Sequence, residues 1–196
     1  MYNIERGGCV GVDESNHGRF PEIIVAAYSN NPEDQIISDL TKIRDKGNIE
    51  KIIGNRDFRY IIIHEVYSSM LNPEDLRVMA ICEFIKFFKN NNLEDPLFII
   101  DGMLNEKEHE QLDLILYPNF RPHMIIEPKA DLHYPIVNIA DHIANLIFKK
   151  YISQESIDKK LLEKIITPKI EDYVKFMQNV KKNKTRYFHH SPRLKK

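Results

Sequence analysis

The sequence has no apolar run of about 18 residues, so it holds nothing long enough to cross a membrane as a helix. Its first residues, MYNIERGG, lack the basic-then-apolar layout of a secretory signal, which points to a cytoplasmic protein with no membrane partner. Cysteine is scarce. Cys9 and Cys82 both sit in apolar surroundings, as reduced core residues do, and neither belongs to a zinc-type Cys/His spacing. There is no internal repeat and no low-complexity segment. Charge of one sign is also lacking: the formal net charge of −1 leaves no overall basic field for a polyanion. That balance hides a local excess, because the last stretch, VKKNKTRYFHHSPRLKK, is rich in Lys and Arg and has no acid. Such a tail can follow phosphates, and its RYFHH segment can stack on bases.

What is present is an ordinary globular composition of 42% apolar and 29% charged residues over 196 positions, enough for one domain with a small appendage. Apolar, β-branched segments predict strands over 9–15, 22–29, 57–68, 96–102 and 123–129. The first two are expected to pair as an antiparallel hairpin. Helical spacing predicts helices over 32–46, 72–90, 105–117, 134–152, 154–166 and 168–183. The 72–90 helix carries its own start signals, with Asn72 as N-cap, Pro73 in the first helical position and acids in the first turn. Three early strands suit a meander, and later strands separated by helices suit parallel pairing through right-handed crossovers. The expected class is α/β, a mixed five-stranded sheet flanked by helices. Residues 1–152 are expected to form the main domain, 153–183 C-terminal helices packed on it, and 184–196 the basic tail.

Two of the predicted strands end in acids. CVGVDES runs from small apolar residues into Asp13 and Glu14, and PLFIIDG ends in Asp101. In open α/β sheets, chemistry gathers at the carboxyl ends of strands. If these strands are neighbours, the acids converge, and both burial and mutual repulsion penalise them. A cation resolves both problems. Oxygen ligands without Cys or His select a hard ion, Mg2+ or Mn2+, and two such ions can hold a phosphodiester and activate water. A single Asp at such a place is usually a turn former, but the same pattern at two strand ends is harder to explain that way. A further acid has two candidates. Asp131 lies in the PKADLHYP loop, and Asp141 lies within the following helix, on a stripe with Asn138 and Asn145 and beside His142. Of His17, His64, His133 and His142, His17 follows the acids directly and is the one expected to meet a phosphate or position water.

These residues resemble type 2 ribonucleases H. GVDESNHGRFPEIIVAA (11–27) resembles the family's first motif of strand, Asp-Glu pair, glycine turn and second strand. FIIDGM (98–103) resembles its mid-chain strand ending in Asp-Gly, and KADLHYPIVNIADHIANLI (129–147) its Lys-x-Asp segment with the helix that follows. The resemblance covers roughly residues 9–150. It implies an RNase H-like fold, two divalent ions (Mg2+ or Mn2+), and cleavage of RNA in RNA–DNA hybrids. Carried over, the catalytic and metal-holding acids are Asp13, Glu14, Asp101 and Asp131, and substrate is expected at Asn16, His17, Gly18 and Lys129. Asn16-His17-Gly18 stands where the family has Gly-Arg-Gly. Asp141, with the Asp-Glu-Ser opening, is similar to a second group of RNase H-fold proteins, in which the helix Asp completes the site. That group implies another nucleic acid as substrate. A non-catalytic, nucleic-acid-binding relative is the remaining alternative.

Overall fold

The computed structural model describes residues 8–16, 19–40, 49–91, 95–116, 122–154 and 159–182. Strands β1 (Cys9–Ser15) and β2 (Glu22–Ser29) form the antiparallel hairpin, and β3 (Asp57–Ile63) adds antiparallel to β2. On the other side of β1 lie β4 (Leu97–Asp101) and β5 (Met124–Glu127), both parallel. The order is β3-β2-β1-β4-β5, a mixed five-stranded sheet as expected. Parallel neighbours need long crossovers. A short helix α1 (Ile49–Ile53), which the sequence pattern does not announce, precedes β3. The crossovers come from α2 (Pro73–Asn90), between β3 and β4, and α3 (Glu106–Leu116), between β4 and β5. Asn72 caps α2 as its sequence foretells, its Oδ1 accepting from the Asp75 N–H at 2.7 Å.

β1 is central, so both of its faces are covered, and it reads as an unbroken apolar run for that reason. Alternation sends Cys9 to one side and Val10 and Val12 to the other. The first side packs on α4 (Pro135–Ile152) through Ile136, Ala140, Ile143 and Ile147. The second packs on α2, α3 and α6 (Ile170–Lys182) through residues such as Leu76, Phe84, Leu112 and Tyr173. Gly11 marks where α4 crosses β1. A Cβ there would lie 2.5 Å from the Ile136 carbonyl carbon and 2.7 Å from the Val137 nitrogen, so any side chain would push the helix off the strand. No helix among the described residues is long and apolar enough to cross a membrane.

Three segments depart from their sequence pattern. Of the expected 32–46 helix, Pro32–Gln35 turns as a 3-10 helix, 36–40 is not helical, and 41–46 lie outside the described residues. The Ser38 and Leu40 N–H groups donate to the His133 and Leu132 carbonyls, each at 2.9 Å, so a tertiary backbone partner replaces the helical one. The strand expected over 57–68 stops at Ile63, and Glu65–Ser69 forms a 3-10 turn. Among the described residues of 154–166, which exclude 155–158, one helical turn forms, α5 (Lys159–Leu162). The chain then runs beside β3, with the Tyr60 N–H donating to the Lys164 carbonyl at 3.1 Å and the Ile166 N–H to the Tyr60 carbonyl at 2.8 Å. This pairing covers part of an otherwise open sheet edge. The basic tail, 184–196, lies outside the described residues.

Candidate active site

The parallel register of β1 and β4 places Val12 opposite Ile100. One step further, Asp13 and Asp101 stand side by side at the carboxyl ends of their strands. Both follow odd-numbered neighbours that face α4, namely Cys9 and Ile99, so both carboxylates belong to that face. Glu14 falls on the α2 face. Asp141 approaches from α4. From the crossing point at Gly11, Asp141 is five residues along the helix from Ile136, a rise of about 7.5 Å. Asp13 is two residues along the strand, about 6.6 Å. The two displacements match, and the charge of Asp141 acts on Asp13.

Asp13 is 2% exposed, and its Oδ1 accepts one hydrogen bond, from the Glu14 N–H at 2.7 Å. Burial, followed by the charges of Asp101, Asp141 and Glu14, pushes its carboxyl up from 3.8 to about 9, against the smaller opposing effect of that hydrogen bond. The protein therefore holds a proton at Asp13 at neutral pH unless something positive takes its place.

Asp101 Oδ1 accepts from the Ala130 N–H at 2.6 Å, which ties the end of β4 to the 3-10 turn Ala130–Leu132. Asp131 lies in that turn, 5% exposed, and its carbonyl accepts from Asn138 Nδ2 at 2.8 Å. It is not among the groups that shift Asp13. The two candidates for the further acid are thus placed differently: Asp141 acts on Asp13, and Asp131 sits beside the residue that hydrogen-bonds Asp101. Asp141 Oδ1 in turn accepts from Asn145 Nδ2 at 2.8 Å. Asn138 is only 4% exposed, so the polar stripe of α4 starts in the interior.

Asn16, at φ 74°, donates from Nδ2 to the Arg19 carbonyl at 3.0 Å and the Pro21 carbonyl at 3.1 Å, so its amide braces the β1–β2 loop. His17 and Gly18 lie outside the described residues. Lys129 is exposed, at φ 63°, and opens the turn that carries Asp131. His64 contacts the Tyr67 and Tyr151 rings. His133 Nδ1 lies 3.0 Å from Glu127 Oε1. His142 is 8% exposed, and its Nε2 has no hydrogen-bond partner among the described residues.

Two residues near the acids have no sequence signal. Glu127 is one: it pairs with Asp101 in the β4–β5 register, so its side chain shares the α4 face. Arg77 of α2 is the other. Its Nη2 lies 3.6 Å from Glu14 Oε1 and donates to the Asp101 carbonyl at 3.2 Å, while Nη1 reaches the Met103 carbonyl at 3.4 Å. Arg77 sits on an ordinary amphipathic helix, and its partners come from the ends of β1 and β4 and the turn after β4.

No group of three or more Asp, Glu, His or Cys among the described residues is drawn close enough to make a finished metal shell. The donor chemistry nevertheless fits a hard divalent ion, because the converging groups are all carboxylates. The cysteines play no part. Both are free and buried, and burial pushes both thiols up, that of Cys9 to about 12. A buried orphan lies on the same face as Asp13: the Ser15 hydroxyl, two residues on, has no hydrogen-bond partner among the described residues. Asp13, raised by burial and three neighbouring acids and on the same face as an unsatisfied hydroxyl, is short of positive charge.

No family model and no curated protein matches the chain. Solved structures do. A mutant of Bst-RNase HIII matches with a TM-score of 0.55 and 19% identity, over 76% of this chain and 54% of that one. Bst-RNase HIII in complex with Mn2+ matches with a TM-score of 0.55 and 17% identity, over 75% and 53%. Ribonuclease H2 from Pyrococcus horikoshii OT3 matches with a TM-score of 0.50 and 20% identity, over 75% and 74%. The chain spans about half the length of the Bst-RNase HIII chains. The fold is RNase H-like, as in these ribonuclease H structures.

Proposed function

We propose that this chain is an endonuclease that depends on two divalent ions, Mg2+ or Mn2+, and hydrolyses the RNA strand of RNA–DNA hybrids. The observation that carries this reading is the convergence on Asp13. A nearly fully buried carboxylate stands beside Asp101, under the charges of Asp141 and Glu14, in a fold shared with ribonucleases H. Strongly shifted carboxylates at strand ends are a mark of reactive sites.

Asp13, Glu14 and Asp101 would hold the ions, with one of Asp131 and Asp141 completing the set and the other supporting it. When bound, the ions supply charge neutralisation at a phosphate and a water acidic enough to attack it at neutral pH. Asp13 gives up its proton as positive charge arrives. Ala130, through its N–H, keeps the Asp101 carboxylate aimed. Asn16 fixes the loop through which His17 and Gly18 would meet the sugar-phosphate chain, and Lys129 offers a cation at the rim. The basic tail would add phosphate contacts beyond the site.

The coupling of Asp141 to Asp13 favours a second reading of the substrate, in which the helix acid completes the site, as in the Asp-Glu-Ser group, and another nucleic acid is cut. One screen separates the two. Wild type and Asp101→Asn are incubated with Mn2+ and RNA–DNA hybrid, single-stranded RNA, DNA duplex, or duplex with one embedded ribonucleotide. Cleavage of the hybrid by wild type, lost in the variant, supports the first reading. Cleavage of another nucleic acid alone supports the second. No cleavage of any of them leaves only a non-catalytic binding protein.

A further inference from the structure

Arg77 touches three parts of the site at once. Its guanidinium donates to the carbonyls of Asp101 and Met103, on either side of Gly102, and faces Glu14 Oε1 at 3.6 Å. Gly102 makes this possible. It sits at φ +102°, which disfavours any side chain, and a Cβ there would overlap Arg77 Nη2. The turn after β4 is therefore shaped around the arginine. Glu14 has most need of such a partner. Asp13 and Asp101 face α4, whereas Glu14 leaves the opposite face of β1 and must reach past the strand end to join them. A long side chain left to wander would lose freedom whenever it became a ligand.

We propose that Arg77 is a positioning residue that holds Glu14 where divalent-ion binding requires it, by bridging the ends of β1 and β4. The inference rests on the metal-dependent reading above. At 3.6 Å, beyond hydrogen-bond range, the guanidinium orients the carboxylate through its charge. A planar guanidinium can address two carbonyls and a carboxylate together, and a lysine ammonium would keep only the charge. Sequence spacing could not reveal this role, because it depends on how α2 lies against the β4 turn.

The test is a Mn2+ titration of the full chain, read by the loss of the free Mn2+ electron paramagnetic resonance signal. In Arg77→Gln, the Mn2+ concentration for half-saturation should rise about tenfold, the low end of the loss seen when the partner of a metal ligand is removed. Arg77→Lys should show a smaller rise. Gly102→Ala, which crowds the guanidinium and strains the turn beside Asp101, should weaken binding as well. The double variant with Arg77→Gln should be no worse than the weaker of the two singles, because both remove one interaction. Unchanged or tighter binding in Arg77→Gln, with normal binding by wild type, overturns the role of Arg77 alone. Absence of Mn2+ binding by wild type overturns the metal reading, and this inference with it. Additive losses in the double variant would also overturn it, by showing that Gly102 acts independently of Arg77.

Discussion

Asp34 and Asp13 are each 2% exposed, and their surroundings are opposite. Asp34 receives a two-pronged grip from Arg56, with Nε at 2.6 Å from Oδ2 and Nη2 at 2.7 Å from Oδ1. That hydrogen bonding raises the Arg56 pKa further above its ordinary value. Asp13 has one backbone N–H and three acids near it. Asp57 follows the Asp34 pattern: burial pushes its carboxyl up, but hydrogen bonds from Lys164 and the Phe58 N–H, with Arg59 nearby, bring it below the ordinary value. Asp34 and Asp57 are thus paired with cations, as burial of charge demands. The difference teaches that Asp13, unlike Asp34, has no cation among the groups that act on it to offset its burial. Its raised carboxyl makes the apo protein less stable as pH rises above the ordinary carboxylate value.

The contrast can be sharpened first within the site. Asp141→Asn is expected to lower Mn2+-dependent cleavage by about 100-fold, the size of a lost electrostatic contact in a transition state. Asp131→Asn is expected to lose less, since Asp131 is not among the groups that raise the Asp13 carboxyl, and this ordering would favour the second reading of the substrate. Turnover of the two variants on the substrate found by the screen checks this, and the reverse ordering would make Asp131 the completing acid. Both should fold as well as wild type.

Breaking the Arg56 pair should do the opposite. Asp34→Ala is expected to cost about 3 kcal/mol of stability, the low end for a broken buried pair because Arg56 keeps some contact with solvent. Urea unfolding measures this. Activity well below the melting transition should be unchanged, and a large loss of activity with intact stability would erase the distinction between the two aspartates.

The pH dependence should also differ in sign. The Asp13 carboxyl is at about 9 in the folded chain against an ordinary 3.8. Between those values the folded state binds more protons than the unfolded one, so this group lowers stability as pH rises through the window. The slope for one group is at most about 1.4 kcal/mol per pH unit. Asp57 is shifted downward, so its share of stability is present above the ordinary carboxylate value and is lost as pH falls. Urea midpoints of the apo protein from pH 5 to pH 9 should fall, and Asp13→Asn should flatten that fall.

Much of this arrangement was legible before any coordinates. The apolar run of β1 implied a strand covered on both faces, and its paired acids at the end implied the carboxyl edge of a sheet. Asn72 and Pro73 marked the start of α2. The 36–40 segment was misleading because Ile36, Ile37, Leu40 and Ile43 have helical spacing, yet Ile36 and Ile37 are exposed and the backbone pairs with the Asp131 turn instead. Spacing favoured Asp131 as the further acid because it matches a family motif. The reach of Asp141 depends on α4 lying against Gly11, which no local pattern encodes. Arg77 was invisible for the same reason.

The most direct measurement compares the melting temperatures of wild type and Asp13→Asn at pH 8, in chelator and then with Mn2+ at about 100 times its dissociation constant. In chelator, Asp13→Asn should melt higher, because it removes the cost of keeping a proton on a carboxyl whose ordinary value is 3.8, while keeping an acceptor for the Glu14 N–H. Mn2+ should reverse the order, stabilising wild type by about 2.7 kcal/mol if only the folded chain binds. A variant that melts lower than wild type in chelator, together with no response of wild type to Mn2+, would contradict the reading of these acids as a metal site held at a cost to the fold.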